Sequence, residues 1–266
     1  MKRLLLLSAV VSCLWGCSSG TGGDDGAWTL AWSDEFEGPV GQLADPATWT
    51  YEVGTDWGNA QLEYDTDRAS NAALDGAGHL VITARREAYE GRQYTSARLT
   101  TAGKREFRYG RFEARMQLPG GQGLWPAFWM LGSSFDTVGW PATGEIDIME
   151  FRGQEPSTVH GSLHGPGYSG GSALTRRKTV TASRFDNSFH VFTVEWSAEE
   201  IRWFVDGTRY HTVRKADVPG TWVFDHPFDL LLNVAVGGNF VGAPNDATTF
   251  PKQMIVDWVR VYEPAP

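Results

Sequence analysis

The sequence predicts an all-β domain of sandwich or jelly-roll type, and three observations carry that reading. No long segment repeats its apolar residues at the 3.6-residue spacing of an amphipathic helix. Short alternating or apolar-aromatic runs stand instead between Gly, Pro and Asp, and 31 glycines among 266 residues supply many tight turns. Tryptophan is abundant at 12, which suits a sugar-stacking surface better than a helical bundle. One core is enough for this length, because all-β sandwiches often reach it as a single domain. Neither an internal repeat nor a second domain is evident, and helix is expected to be scarce.

From the N-terminus, MKRLLLLSAVVSCLWGC sets Lys2 and Arg3 before a short apolar run. That is an export signal, too short to stay as a membrane span. The ending Leu14-Trp15-Gly16-Cys17 resembles a bacterial lipoprotein box, in which Cys17 becomes the lipid-bearing first residue. An ordinary cleaved signal is the other reading. Residues 1–16 are then the signal, 17–26 a flexible Gly/Ser/Asp tether, and 27–266 the folded domain. The expected location is the cell envelope, membrane-anchored by lipid alone, or the exterior. Both cysteines, Cys13 and Cys17, lie in this segment, so the mature domain holds no disulfide. Net charge is −9, and removing Lys2 and Arg3 makes it −11. That acidity excludes nucleic acid as a partner and leaves neutral substrates acceptable.

The strand-like runs follow in order: His79–Thr83, Tyr109–Leu118, Glu145–Phe151, His190–Trp196, Ile201–Val205, Asp229–Val236 and Met254–Tyr262. Asp75-Gly76-Ala77-Gly78 reads as a turn, and Val205-Asp206-Gly207-Thr208 as a hairpin with an Asp-Gly tip.

One run is anomalous. GEIDIMEF places Glu145, Asp147 and Glu150 within six positions, between isoleucines and a methionine. A helix turns about 100° per residue and would scatter them. A strand puts Glu145 and Asp147 on one face but sends Glu150 to the other. One extra residue, a β-bulge near Ile148–Met149, restores it. All three carboxylates then share a face, with the two glutamates roughly 5–6 Å apart, the separation used by retaining glycosidases. Glu145 and Glu150 fit the roles of nucleophile and proton donor, with Asp147 between them to adjust their titration. A salt-bridged polar strand is the bland alternative, and no Lys or Arg interleaves with these residues to support it.

Sugars need flat apolar platforms. Upstream lie Leu124-Trp125-Pro126-Ala127-Phe128-Trp129-Met130 and then Trp140-Pro141. Trp125 and Trp129 share a face on a period-2 reading, with Phe128 on the other. Trp125 and Trp129, or Trp140, can stack on pyranose rings, and core packing is the alternative for each. Trp140, just before the acidic strand, is the favoured platform. His160 and His164 have a four-residue spacing that suits a metal on a helix, but flanking glycines and a strand context oppose it. Spacing leaves His164 as either a polar partner of the acid/base or a core histidine.

GEIDIMEF, with GLWPAFWML before it and HGSLHGPGYSG after it, resembles glycoside hydrolase family 16, in its laminarinase-like branch of endo-β-1,3-glucanases. The likeness runs from Trp32-Ser33-Asp34-Glu35-Phe36 to Val256-Asp257-Trp258-Val259-Arg260-Val261-Tyr262. The resemblance implies a concanavalin A-like β-jelly roll of two antiparallel sheets with an open concave cleft. It implies Glu145 as nucleophile, Asp147 as its assistant and Glu150 as acid/base. It also implies substrate contacts from Asn59, Arg98, Trp125, Trp129, Trp140, His164 and Asn239. No cofactor is needed for catalysis. A structural Ca²⁺ on the convex side is implied at the backbone of Glu35 and Gly78 and the side chain of Asp257, an oxygen set that suits the ion. Gln61 and Phe240 depart from the Glu and Trp that many such chains carry, which leaves chain-length preference open. The expected function is retaining endo-hydrolysis of β-1,3-glucan by a monomer. The alternatives are a same-fold hydrolase of mixed-linkage glucan or a galactan, and a non-catalytic β-glucan-binding protein.

Overall fold

The computed structural model describes residues 27–266, so the signal, Cys17 and tether expectations lie outside the described residues. Two sheets enclose one hydrophobic core. The seven-stranded sheet runs Arg176–Thr179, Thr158–His164, Glu145–Phe151, Leu124–Gly132, Phe228–Val236, Arg98–Thr100, Thr50–Tyr51. The ten-stranded sheet is centred on Gly110–Gln117, which pairs with His190–Trp196 on one side and the C-terminal strand Lys252–Pro264 on the other. Among the described residues α-helix is confined to Phe135–Val138, as a chain without 3.6-residue periodicity should give.

Alternation builds the core. On Leu124–Gly132, Phe128 and Met130 are fully buried, while Trp125 and Trp129 lie on the opposite face, as period 2 requires. From the facing sheet come Phe112, Ala114, Met116, Val194 and Val256, all buried. The hairpin forms as read: Val205 pairs with Thr208, and Asp206 (φ 48) and Gly207 (φ 72) both take the left-handed conformation of a type I′ turn.

Two departures have physical reasons. The run read as His79–Thr83 forms the strand Leu80–Tyr89, which continues past the buried Ala84 because from Arg85 onward its residues are partly or fully exposed and their charged side chains reach solvent. The expected sheets were wholly antiparallel, yet Glu63–Asp65 pairs parallel with Arg92–Ser96. A parallel neighbour needs a long crossover, and the segment between them, with strands Ala72–Leu74 and Leu80–Tyr89, supplies it.

Candidate active site

The acidic strand Glu145–Phe151 lies between Leu124–Gly132 and Thr158–His164. Its register slips between Asp147 and Glu150 against one neighbour and between Asp147 and Met149 against the other. This is the bulge the charge pattern demanded. Ile148 and Met149 are consecutive, yet both point into the core at 1% and 0% exposure. Inserting that extra inward residue returns Glu150 to the face of Glu145 and Asp147. A bulge also leaves a carbonyl without its ladder partner. Here the buried indole of Trp203, from the opposite sheet, donates Nε1–H to the Asp147 carbonyl oxygen at 2.8 Å. The neighbouring Gly161 leaves room for that ring, since a Cβ there would stand 2.6 Å from Trp203 Cδ1.

The outer face of this sheet is a cleft of roughly 690 Å³. Glu145, Asp147, Glu150, Asn59, Arg98, Trp125, Trp129, Trp140, His164 and Asn239 all line it. Each carboxylate of the glutamate pair has an indole donor: Trp140 Nε1–H to Glu145 Oε2 at 2.9 Å, and Trp125 Nε1–H to Glu150 Oε1 at 3.1 Å. Ser162 Oγ adds a donor to Glu150 Oε2 at 3.2 Å. Trp140 remains 45% exposed, so its ring is also open to a ligand.

Burial and mutual repulsion shape the acidity. Desolvation is the main cause at all three sites. It pushes Glu145 up to about 8, with Asp147's charge adding to the rise. Glu150 goes up to about 7, and Asp147 well above the usual carboxylate range. The cluster therefore holds protons at neutral pH. Because the groups share them, the shifts do not by themselves assign donor and nucleophile.

His164 pairs across the ladder with Glu145, and its Nε2 lies 2.9 Å from Asp147 Oδ2. The approach is off the N–H direction, so that oxygen keeps no aligned hydrogen bond. Glu145, Asp147 and His164 bring ligand atoms within 4.8 Å of one another, close enough for a metal. The tautomer opposes that use. His164 Nδ1 accepts Gly170 N–H at 3.1 Å, so the neutral ring carries its proton on Nε2, where a metal would need the lone pair.

Arg98 is clamped between the Trp57 and Trp129 rings, 4.8 and 4.9 Å from their centroids, and ion-paired with Glu52. Trp129 Nε1–H in turn donates to Asn233 Oδ1 at 2.9 Å. Asn59 and Asn239 belong to adjoining loops, joined by Asn239 N–H to Asn59 O at 2.7 Å. Trp57, Asn233, Ser162, Phe135 and Arg152 also line the cleft and escaped the sequence reading. Asn233 had a signal, being one amide inside the apolar run LLLNVAV. Trp57 and Ser162 had none.

Glu35, Gly78 and Asp257 do not line the cleft. A Cβ on Gly78 would stand 4.0 Å from the Glu35 carbonyl oxygen and 3.6 Å from Glu37 Oε1, so oxygens converge there. Asp257 gives Oδ2 to Arg115, while Oδ1 faces His79 Nε2 at 3.8 Å. The oxygens beside Gly78 are thus the Glu35 carbonyl and the Glu37 carboxylate, while the Asp257 carboxylate faces Arg115 and His79.

Residues 52–260 match the family model described as Glycosyl hydrolases family 16. The chain belongs to glycosyl hydrolase family 16. A β-glucanase of Rhodothermus marinus is 44% identical, covering 98% of this chain and 96% of that protein. A glucan endo-1,3-β-glucosidase of Cryptopygus antarcticus is 40% identical over 82% of this chain and 83% of its own. The crystal structure of an endo-β-1,3-glucanase from Pyrococcus furiosus superposes with a TM-score of 0.86 at 48% identity, covering 90% and 96% of the two chains. As a family 16 member the chain is a glycoside hydrolase with the jelly-roll fold its sequence predicted.

Proposed function

We propose that this family 16 hydrolase is a retaining endo-β-1,3-glucanase working by double displacement. The observation that carries the mechanism is the gathering of Glu145, Asp147 and Glu150 on one face of a bulged strand, inside a tryptophan-lined cleft. Glu145 attacks the anomeric carbon while Glu150 protonates the departing glycosidic oxygen. Glu150 then removes a proton from water, which releases the glycosyl–enzyme ester. Asp147, beside Glu145 and His164, steadies the nucleophile and redistributes protons between steps. Trp125, Trp129 and Trp140 offer ring faces, and Arg98, Asn59 and Asn239 offer polar contacts to glucose hydroxyls. An open cleft admits a chain in mid-length, which supports endo action. The similarity to a glucan endo-1,3-β-glucosidase and to an endo-β-1,3-glucanase supports the β-1,3 linkage.

Two accessory features belong to the same proposal. Ca²⁺ is held by the carbonyls of Glu35 and Gly78 and by Asp257, as a brace away from the chemistry. The domain acts outside the cytoplasm as a monomer, tethered through lipid on Cys17.

The test is release of reducing ends from laminarin, curdlan, barley mixed-linkage glucan, agarose and κ-carrageenan, with Glu145→Ala as control. Mixed oligosaccharides from laminarin, absent with the variant, are expected. Activity on a galactan alone would overturn the substrate, and silence on all would leave a glucan-binding protein.

A further inference from the structure

Arg152 stands two residues beyond Glu150, just past the end of the acidic strand, and lines the same cleft. Its guanidinium is fixed from two sides. The carbon lies 4.2 Å over the Phe240 ring, and Nη1 donates to Glu155 Oε1 at 3.2 Å. Phe240 packs 5.0 Å from Trp125, the residue whose indole holds Glu150. Arg152, Phe240, Trp125 and Glu150 therefore form one continuous wall. Against this order, Arg152 Nε is buried and has no hydrogen-bond partner. The Nη2 edge makes no hydrogen bond among the described residues, and with the side chain 33% exposed that edge is open to a ligand in the cleft.

We propose that Arg152 binds the departing sugar, its free Nη2 edge donating to hydroxyl oxygens of the glucose unit on the leaving-group side. The proposal rests on the glucanase reading above. Glu150 protonates the oxygen that leaves, so the wall built around Glu150 adjoins the sugar that leaves with it. Glu155 offsets the arginine's charge, so the site suits a neutral hydroxylated ring rather than an anionic substituent. A planar donor fork held by an aromatic face matches paired hydroxyls, and lysine cannot reproduce that geometry. Arg152 thus selects what stands beyond the scissile bond, while Arg98, gripped by Trp57 and Trp129, serves another part of the cleft.

Arg152→Leu and Arg152→Lys are compared on laminari-oligosaccharides and on a dinitrophenyl β-laminaribioside, which has no sugar beyond the bond cut. Loss of charged hydrogen bonds lowers kcat/KM on oligosaccharides by about 10- to 100-fold in Arg152→Leu. The loss on the aryl substrate is smaller by at least about tenfold, and Arg152→Lys recovers only part of the oligosaccharide rate. With an active wild type, equal loss on both substrates, or loss on neither, overturns the proposal alone. A wild type silent on both overturns the glucanase reading and the proposal with it.

Discussion

Replacing Trp203 with Phe separates the catalytic bulge from the general packing of the core. Trp203 is fully buried on Glu200–Val205, stacked on His211 with ring centroids 4.6 Å apart, and its N–H is the partner of the Asp147 carbonyl. Phe keeps an aromatic ring in place but removes the donor. Leaving a buried carbonyl unsatisfied costs about 1–3 kcal/mol, and the lost indole volume adds about 1 kcal/mol of packing. The sum, about 2–4 kcal/mol, lowers Tm by about 5–15 °C in a domain of this size. Asp147 and Glu150 flank the bulge, so slackening it also displaces the carboxylates. A displacement of about 1 Å costs on the order of 100-fold in rate. Urea unfolding gives the stability change, and initial rates on laminarin give kcat. A loss near 1 kcal/mol with unchanged kcat would match packing alone and refute the indole as the brace of the bulge.

Three further outcomes follow from the same geometry. The Glu145/Glu150 pair must keep one proton to assist departure, so kcat/KM falls as pH rises past the range of about 7 to about 8 in which the pair titrates; Ser162→Ala removes a donor that lowers the Glu150 pKa and moves the limb upward in a pH–rate profile. Glu145 holds its proton to about 8 when folded but only to about 4.3 when unfolded. Stability is therefore lost as pH rises between those values, and Glu145→Gln raises Tm more near pH 8 than near pH 4 in thermal scans. EDTA lowers Tm if Glu35, Gly78 and Asp257 hold calcium; an unchanged Tm removes the ion.

How far the sequence could be read depended on whether a feature was local. The bulge was legible because charge, not propensity, reported it: three carboxylates in six residues admit one shared face only with an extra residue. The Asp206-Gly207 hairpin and the opposed faces of Phe128 and Trp129 were legible for the same reason, each set by neighbours in the chain. Trp203 and Ser162 were not, because their partners lie 56 and 12 residues away and nothing beside them signals the bond. The parallel pairing of Glu63–Asp65 was hidden likewise, as pairing direction follows from topology and not from a three-residue strand. Arg98, expected as a substrate contact, does line the cleft, yet its clamp between Trp57 and Trp129 required the fold.

The central claim is that Glu145 and Glu150 hydrolyse a β-1,3-glucosidic bond with retention. Proton NMR of the anomeric signals in the first minutes of laminarin digestion tests it most directly. New reducing ends should appear as the β-anomer and only later mutarotate to the mixture, with no signal from Glu145→Ala. Initial release of the α-anomer would contradict the covalent route through Glu145.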